Sequence, residues 1–249
     1  MGLVRIAGGS VHLADARRGT RREVHLLPYW LSAATVSARE LETGRFTGTA
    51  PVEHAIPAVD VTWRDAVTWC NAASEHDGLR PAYAVGVDAV TWDPTSEGYR
   101  LPTEAEWVHG SRGGGAGARH GPLGRIAWTA DDAVAGPQPS ALKDPNEFGL
   151  FDTLGNVWEW CWDRLDPARY GDYRVLKGGG WADPEWSCRV GARRGNAPDA
   201  RVEDVGFRVA RGSVAVGNQL DGAQGWSEHA DRERASLSGP LPVGWTPLA

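Results

Sequence analysis

The chain has 249 residues, 41% of them hydrophobic and 23% charged, a balance typical of a folded globular protein that excludes wholesale disorder. Its formal net charge of −6 leaves no basic field for nucleic acid or an anionic membrane, and no apolar run reaches the length of a membrane span. Together, 32 glycines, 16 prolines and 13 tryptophans predict many turns, short strands and a core ordered by aromatic packing.

The first part of the chain has strand-like patterning interrupted by glycine and proline. Residues 3–13 alternate loosely around Gly8 and Gly9, which indicates a hairpin, and residues 24–31 are typical of a second strand. Residues 36–46 favour a short helix. We therefore expect the chain to begin mainly as strand.

A stronger helix signal follows. Thr62 precedes a helical pattern, and Asp65 stands three positions later, which is the spacing of a capping box. The pattern predicts a helix over residues 63–76, and Gly78 supplies the stop.

The same capping pattern recurs at Thr103 and Glu106. It predicts a second helix that fades within residues 110–115. Between the two helices, residues 83–87 and 89–92 have the composition of edge strands.

The second half of the chain is predicted to consist of loops and short strands. Residues 113–147 are rich in glycine, proline and alanine, and we expect an ordered surface loop. The strand-like segments are 155–161, 174–178, 188–192 and 206–209. Periodicity weakens after residue 211, so residues 212–249 are predicted to form a tail rather than a second domain.

Three cysteines, Cys70, Cys161 and Cys188, stand far apart in the sequence. An odd number at this spacing fits neither a disulfide framework nor a paired-cysteine zinc site. The first residues lack the long apolar core of a signal peptide. We therefore expect a reducing, cytoplasmic environment.

Three blocks are far more specific than the patterning around them. Residues 100–107 read RLPTEAEW, residues 149–160 read GLFDTLGNVWEW, and residues 177–211 run from KGGGW to DVGFRVAR. In this order and spacing the blocks resemble the formylglycine-generating enzyme family, also called sulfatase-modifying factors, over residues 3–211. The resemblance implies an α+β fold: a single compact domain related to C-type lectins, with short strands, two or three short helices and much ordered loop.

The resemblance also implies where a redox metal would bind. Copper enzymes of the family hold the metal with two cysteines five residues apart, after a Gly-Gly-Ser-aromatic turn. Aligned on Gly178 and Gly179, the two positions are Asp183 and Cys188, and the serine of the turn is Gly180. A carboxylate is a hard ligand that suits Cu(I) poorly, so the pair is broken and sulfatase maturation is not expected.

Two hypotheses about function stay open. In the first, the protein is a divergent metal-dependent oxidase acting on a thiol or another small substrate, with copper or iron at the catalytic residues Cys188 and Asp183. In the second, it is a non-catalytic ligand- or protein-binding module, and Cys188 is a packing thiol. The scattered histidines form no His-x-His or His-Glu-x-x-His pattern, and Glu106 and His109 give only one of the two i, i+3 motifs that a di-iron bundle needs.

A structural calcium ion is a further implication of the resemblance. Asp152, Gly155, Val157 and Glu159 match a family site built from two side-chain ligands and backbone carbonyls. Hard oxygen donors in a tight turn suit Ca²⁺. The alternative is a turn that the Asp152 and Asn156 side chains hold without a metal.

The family groove is expected to bind a small molecule or a peptide. Aromatic walls and an arginine fork would recognise an anionic group. The predicted substrate-binding residues are Trp158, Trp181, Trp186, Arg189, Arg193 and Asn196. In the alternative, the tryptophans pack in the core and Arg193 pairs with a buried acid. One hypothesis about the tail is that Trp226 or Trp245 covers this groove.

Overall fold

The structure is a computed structural model that describes residues 2–15, 19–48, 55–87, 89–212, 214 and 222–236. The strands are β1 (Leu3–Ile6), β2 (Gly9–Asp15), β3 (Thr20–Leu26), β4 (Tyr29–Ser32), β5 (Tyr83–Val85), β6 (Val90–Trp92), β7 (Tyr99–Arg100), β8 (Trp158–Arg164), β9 (Arg174–Lys177), β10 (Arg194–Asn196), β11 (Val205–Gly206) and β12 (Ala210–Arg211). The helices are α1 (Ala38–Thr43), α2 (Trp63–His76), α3 (Glu104–Arg112), α4 (Leu123–Ile126), α5 (Pro167–Tyr170) and α6 (Glu228–Ala235). The expected α+β class, with short strands, few helices and much ordered loop, is confirmed.

One antiparallel sheet joins the beginning and the end of the region that carries the motifs. Its strand order is β1-β4-β12-β7. Leu31 in β4 pairs with Val4 on one side and with Ala210 on the other. Residues more than 200 positions apart in the chain are therefore fixed in one sheet.

The second sheet is built around β8, in the order β10-β9-β8-β11. All residues of β8 except the last are buried. Trp158, Trp160 and Trp162 belong to one hydrophobic cluster, whereas Cys161 belongs to the other. Successive side chains of a strand point to opposite faces, so β8 lies between the two hydrophobic clusters and contributes side chains to both.

The helix predictions are confirmed with small changes of boundary. Thr62 and Thr103 cap α2 and α3, and both capping boxes form. The helix expected over 36–46 is the shorter α1, which ends at Gly44 in the left-handed conformation (φ 64°). Among the described residues, no helix combines the length and hydrophobicity needed to cross a membrane.

The predicted hairpin around Gly8 and Gly9 is wrong. β1 pairs with β4 and β2 pairs with β3, so the turn that joins β1 to β2 is not a hairpin turn. Gly8 passes so close to the end of β3 that a Cβ there would lie 2.2 Å from the Leu26 carbonyl oxygen. The strand expected over 24–31 is divided at Pro28, which has no N–H to donate to a ladder.

The later strand predictions are partly correct. The segments 155–161 and 174–178 overlap β8 and β9, and 206–209 overlaps only the end of β11. The segment 188–192 forms turns instead, because its amides bond locally: Cys188 to the Glu185 carbonyl and Ala192 to the Arg189 carbonyl. The predicted loop over 113–147 is ordered and contains α4 and a 3-10 turn at Ala130–Asp132.

Part of the predicted tail packs on the domain. The Gln224 side chain accepts from the Leu27 amide and donates to the Leu27 carbonyl and to Glu106. The Trp226 ring packs against Trp92 and Trp162 at centroid distances of 5.9 and 5.3 Å. The half-buried Trp226 ring therefore packs at the edge of the aromatic core, and the two rings it packs against are not among the predicted groove tryptophans. Trp245 lies outside the described residues.

A buried ion pair connects the two most distinctive motifs. Glu159 and Arg208 have no exposed side-chain surface, and the guanidinium donates to both carboxylate oxygens at 2.6 and 2.7 Å. Arg208 also donates to the carbonyls of Ser32 and Phe151, and Trp107 Nε1 donates to Glu159 at 2.7 Å. This one pair thus holds β8, α3 and the end of β4 together.

We expect Arg208→Met to lower the free energy of unfolding by about 3–5 kcal/mol, because it leaves the Glu159 charge buried without its cation. Urea unfolding followed by circular dichroism measures this loss. The control is Glu228→Gln, which breaks an exposed pair with Arg232 and should cost less than about 1 kcal/mol. A loss no larger for Arg208→Met than for the control would contradict a structural role for the pair.

Candidate functional site

The first predicted catalytic residue, Asp183, is already bonded within the protein. Its side chain is buried, and one oxygen accepts from Trp158 Nε1 at 2.5 Å and from the Gly180 amide at 2.9 Å. The other oxygen lies 3.4 Å from an Arg194 guanidinium nitrogen. These contacts fix the turn that follows β9, so the carboxylate organises the site rather than standing open in it.

The second predicted catalytic residue, Cys188, is a buried thiol beneath the same turn. A Cβ on Gly179, where φ is 87°, would lie 2.7 Å from the cysteine sulfur. Burial, reinforced by the charge of Asp183, raises the pKa of the Cys188 thiol to about 12. The thiolate that would bind copper or attack a substrate is therefore disfavoured.

The donor set does not fit a copper ion of the kind that the family resemblance implies. Cu(I) prefers soft thiolate ligands, and this turn offers one protonated thiol and one hydrogen-bonded carboxylate. Cys70 and Cys161 are buried elsewhere, and burial raises the pKa of each thiol. Within the described residues, no group of three or more histidine, cysteine, aspartate or glutamate side chains has a metal-binding arrangement.

The residues predicted to bind calcium differ in what they offer a cation. Asp152 is buried with one oxygen bonded to the Ala141 amide at 2.7 Å and the other without a partner among the described residues. Burial raises the pKa of Asp152 to about 6. Glu159, in contrast, is neutralised by Arg208. Asp152 thus has an oxygen open to a cation, whereas Glu159 does not. Calcium binding stays a prediction.

The two backbone ligands predicted for calcium, Gly155 and Val157, lie in a turn that protein contacts hold in place. Gly155 has a φ of 69° and approaches the Trp128 carbonyl so closely that a Cβ would lie 2.2 Å from its oxygen. Asn156 exchanges side-chain hydrogen bonds with the backbone of Gln138. The asparagine therefore fixes the turn, as the metal-free alternative expects.

The predicted substrate-binding tryptophans lie in different environments. Trp158 is buried, with the Arg194 guanidinium 5.0 Å from its ring centroid. Trp181 is half-buried. Trp186 is 64% exposed, the most exposed tryptophan among the described residues. Of these three tryptophans, only Trp186 presents a large exposed aromatic surface to a partner.

The polar residues of the predicted groove also separate. Arg189 is exposed. Asn196 is half-buried and its side chain accepts from the following amide. The Arg193 guanidinium is bonded to both oxygens of Glu104 and to the carbonyls of Arg164 and Leu165. Arg193 therefore pairs with a buried acid, which is the alternative that the sequence analysis left open.

The residues that shape the site but were missed are two arginines. Arg194 contacts both Asp183 and Trp158, and it stands beside the predicted Arg193. Its position next to a predicted site residue was the available sequence signal. Arg119 lies in the predicted surface loop and carried no sequence signal.

Arg119 braces the segment that displays Trp186, here named the Trp186 loop (residues 183–189). Its guanidinium donates to the Glu185 carboxylate at 2.6 Å and to the carbonyls of Glu185 and Cys188 at 2.7 and 3.1 Å. A local bond from the Ser187 amide to the Pro184 carbonyl tightens the loop further. The exposed tryptophan thus stands on an ordered support.

Comparison with known proteins places the chain among the sulfatase-modifying factors. The family model described as the sulfatase-modifying factor enzyme 1-like domain matches residues 1–213. The formylglycine-generating enzyme of Streptomyces coelicolor is 31% identical over 248 residues, 80% of this chain and 71% of that protein. The inactive C-alpha-formylglycine-generating enzyme 2 of Mus musculus is 34% identical over 186 residues, and the chain spans 59% of its length.

Among solved structures, Treponema denticola variable protein 1 is similar, with a TM-score of 0.74 at 27% identity. The match covers 84% of this chain and 94% of that one. The relatives therefore include proteins named as active enzymes and proteins named as inactive.

Asp152 should make stability depend on pH. Its folded-state pKa of about 6 lies above the ordinary value of 3.8, so its favourable contribution is complete at low pH and is lost as the pH rises through about 6. With a chelator present to remove calcium, the free energy of unfolding of the wild type is compared with that of Asp152→Asn. We expect this difference to fall by about 2–3 kcal/mol between acidic and neutral pH.

Urea unfolding of both proteins over this range measures the difference, and a flat difference would contradict the assignment. Calcium bound at Asp152 would hold the carboxylate ionised, so millimolar Ca²⁺ should remove the fall in the wild type only. If the wild type loses as much stability with calcium present as without it, the result would count against a calcium site.

Proposed function

The chain belongs to the sulfatase-modifying factor family, and we propose that within this family it is a non-catalytic module that binds a peptide or protein ligand. The observation that carries the proposal is the position of Asp183. At the place where the copper enzymes supply one of two thiolates, this chain has a carboxylate bonded to Trp158 and Gly180. The residue thus fixes the turn through one oxygen, and it offers a hard carboxylate where Cu(I) needs a soft thiolate.

The state of Cys188 supports the same conclusion. An oxidase that used it would need an accessible thiolate, since the thiolate is the metal ligand and the nucleophile. Cys188 is buried, and its thiol pKa is raised to about 12. The alternative, a divergent oxidase that uses Cys188 and Asp183 with copper or iron, would require the turn to rearrange.

The Trp186 loop supplies the binding surface in this proposal. Tryptophan and arginine are the residue types that most often dominate binding energy at protein interfaces. Trp186 is exposed, and Arg189 is exposed three residues later. Because Arg119 holds the loop in shape, little conformational entropy is lost when a partner binds.

A test of catalysis compares three proteins with the Streptomyces coelicolor enzyme as positive control. Wild type, Cys188→Ala and Asp183→Cys are incubated with copper, oxygen and a sulfatase-derived cysteine peptide, and the peptide is followed by mass spectrometry. We expect no conversion by wild type or Cys188→Ala, whereas Asp183→Cys supplies the missing thiol and should increase copper binding. Copper-dependent oxidation by wild type that Cys188→Ala abolishes would overturn the proposal.

A test of binding uses peptides selected against the wild type from a displayed random library. We expect Trp186→Ala to lower the affinity for the selected peptides by at least about tenfold, because it removes an exposed side chain that would anchor them. Its stability should change by less than about 0.5 kcal/mol. Trp30→Ala removes another exposed tryptophan, in β4, and should leave the affinities unchanged. Equal effects of the two substitutions on affinity would contradict a binding role for the Trp186 loop.

A further inference from the structure

A second site is suggested by a cavity of about 360 Å³ between the β2–β3 hairpin, the start of α3, β8 and the described carboxyl-terminal segment. Its volume falls in the range of pockets that hold small organic ligands. Its lining includes no residue of the Trp186 loop. An occupant of this cavity would therefore be distinct from the partner proposed above.

The cavity wall is rich in charge, with an excess of carboxylates. Its acidic residues are Asp15, Glu23, Glu104, Asp163, Asp231 and Glu233. Its basic residues are Arg22, Arg193 and Arg234. The formal charge of the wall is negative, which favours a cationic ligand.

Each of the three arginines already has a partner in the protein. Arg193 is bonded to Glu104 at 2.9 Å, and Arg22 donates to the Gly225 carbonyl at 2.5 Å. Arg234 lies 3.4 Å from Asp15. The guanidinium groups are therefore engaged at the wall rather than presented to an anion.

Two of the three buried acids are likewise paired. Glu104 has Arg193 and, at 3.6 Å, Lys177. Asp231 accepts from Trp226 Nε1 and from Arg164. Their charges are balanced without a ligand.

Asp163 is the exception. It is 6% exposed, and one oxygen accepts from the Glu104 amide at 2.6 Å. Among the described residues, its other oxygen has no hydrogen-bond donor, and no lysine or arginine nitrogen lies within 4.0 Å. Burial, reinforced by the charge of Glu104, raises the pKa of Asp163 to about 7. An enclosed carboxylate therefore faces the cavity without a cation in contact with it, and Arg22, Arg174 and Arg193 act on it only from a longer distance.

We propose that this cavity binds a small organic cation through a primary ammonium group, with Asp163 as the ion-pair partner. An ammonium group donates up to three hydrogen bonds and would satisfy the open oxygen of Asp163. The Trp226 ring lines the cavity and offers an apolar wall for a carbon chain. Glu23 and Glu233 are exposed at the same cavity and would attract a second ammonium group. The class of ligand that fits is a short aliphatic diamine.

The test uses 1,4-diaminobutane as the probe and isothermal calorimetry at low ionic strength and about pH 8, where Asp163 is mostly ionised. We expect saturable binding of one molecule per chain to the wild type, and an affinity at least about tenfold lower for Asp163→Asn. The asparagine oxygen can still accept from the Glu104 amide, so this variant should fold. Asp199→Asn, an exposed acid outside the cavity, is the matched control and should bind as the wild type does.

Two further probes, one uncharged and one of negative charge, complete the test. We expect 1,4-butanediol, of similar length without charge, and succinate, an anion, to show no saturable binding and no increase in melting temperature. The diamine alone should raise the melting temperature of the wild type, a readout that needs no variant. The proposal is overturned if the wild type does not bind the diamine, if Asp163→Asn binds it equally well, or if butanediol or succinate binds as tightly.

Discussion

The buried pair of Glu159 and Arg208 is the interaction on which most of this structure depends. A carboxylate in a tryptophan-rich strand that is buried except at its last residue is stable only if a cation and further donors surround it. Arg208 and Trp107 donate to it, and the carbonyls of Ser32 and Phe151 accept from Arg208 in turn. These four residues come from four distant parts of the chain. Arg100 and Glu106 form a second pair of the same kind, with both side chains unexposed. Each of the three motifs therefore contributes a charge to these buried pairs: Arg100 and Glu106, Glu159, and Arg208. These charges hold the core together whether or not the metal-binding pair is present.

The sequence predicted those features that depend on neighbouring residues. The two threonine-capped helices were placed correctly because a capping box is complete within four residues. The hairpin at Gly8 was wrong because β1 finds its partner beyond an inserted hairpin, and no local pattern encodes that choice. The site followed the same rule. The loss of the first thiol of the pair was visible as Asp183, whereas the contact from Arg119 to Glu185, 66 residues away, depended on the folded chain.

Two adjacent arginines connect the proposed binding regions. Arg194 contacts Asp183 and Trp158 beneath the Trp186 loop, and Arg193 lines the cavity that contains Asp163. Both are anchored by carboxylates within the protein, so of the two arginines predicted for the groove, Arg189 alone is exposed to a partner. The recognition chemistry is therefore aromatic and basic at one region and acidic at the other. A partner that bound both would need an apolar or aromatic contact and a positive charge.

The position of Gln224 and Trp226 has a consequence for how the limits of this protein are drawn. Similarity to the family ends at residue 213, yet these two residues lie beyond it and are built into the core and the hydrogen-bond network of the domain. The folded unit therefore extends beyond the region that the family model matches. A chain cut at the end of that region would expose the faces of Trp92 and Trp162 that Trp226 covers, so the boundary of the domain is set by packing rather than by sequence similarity.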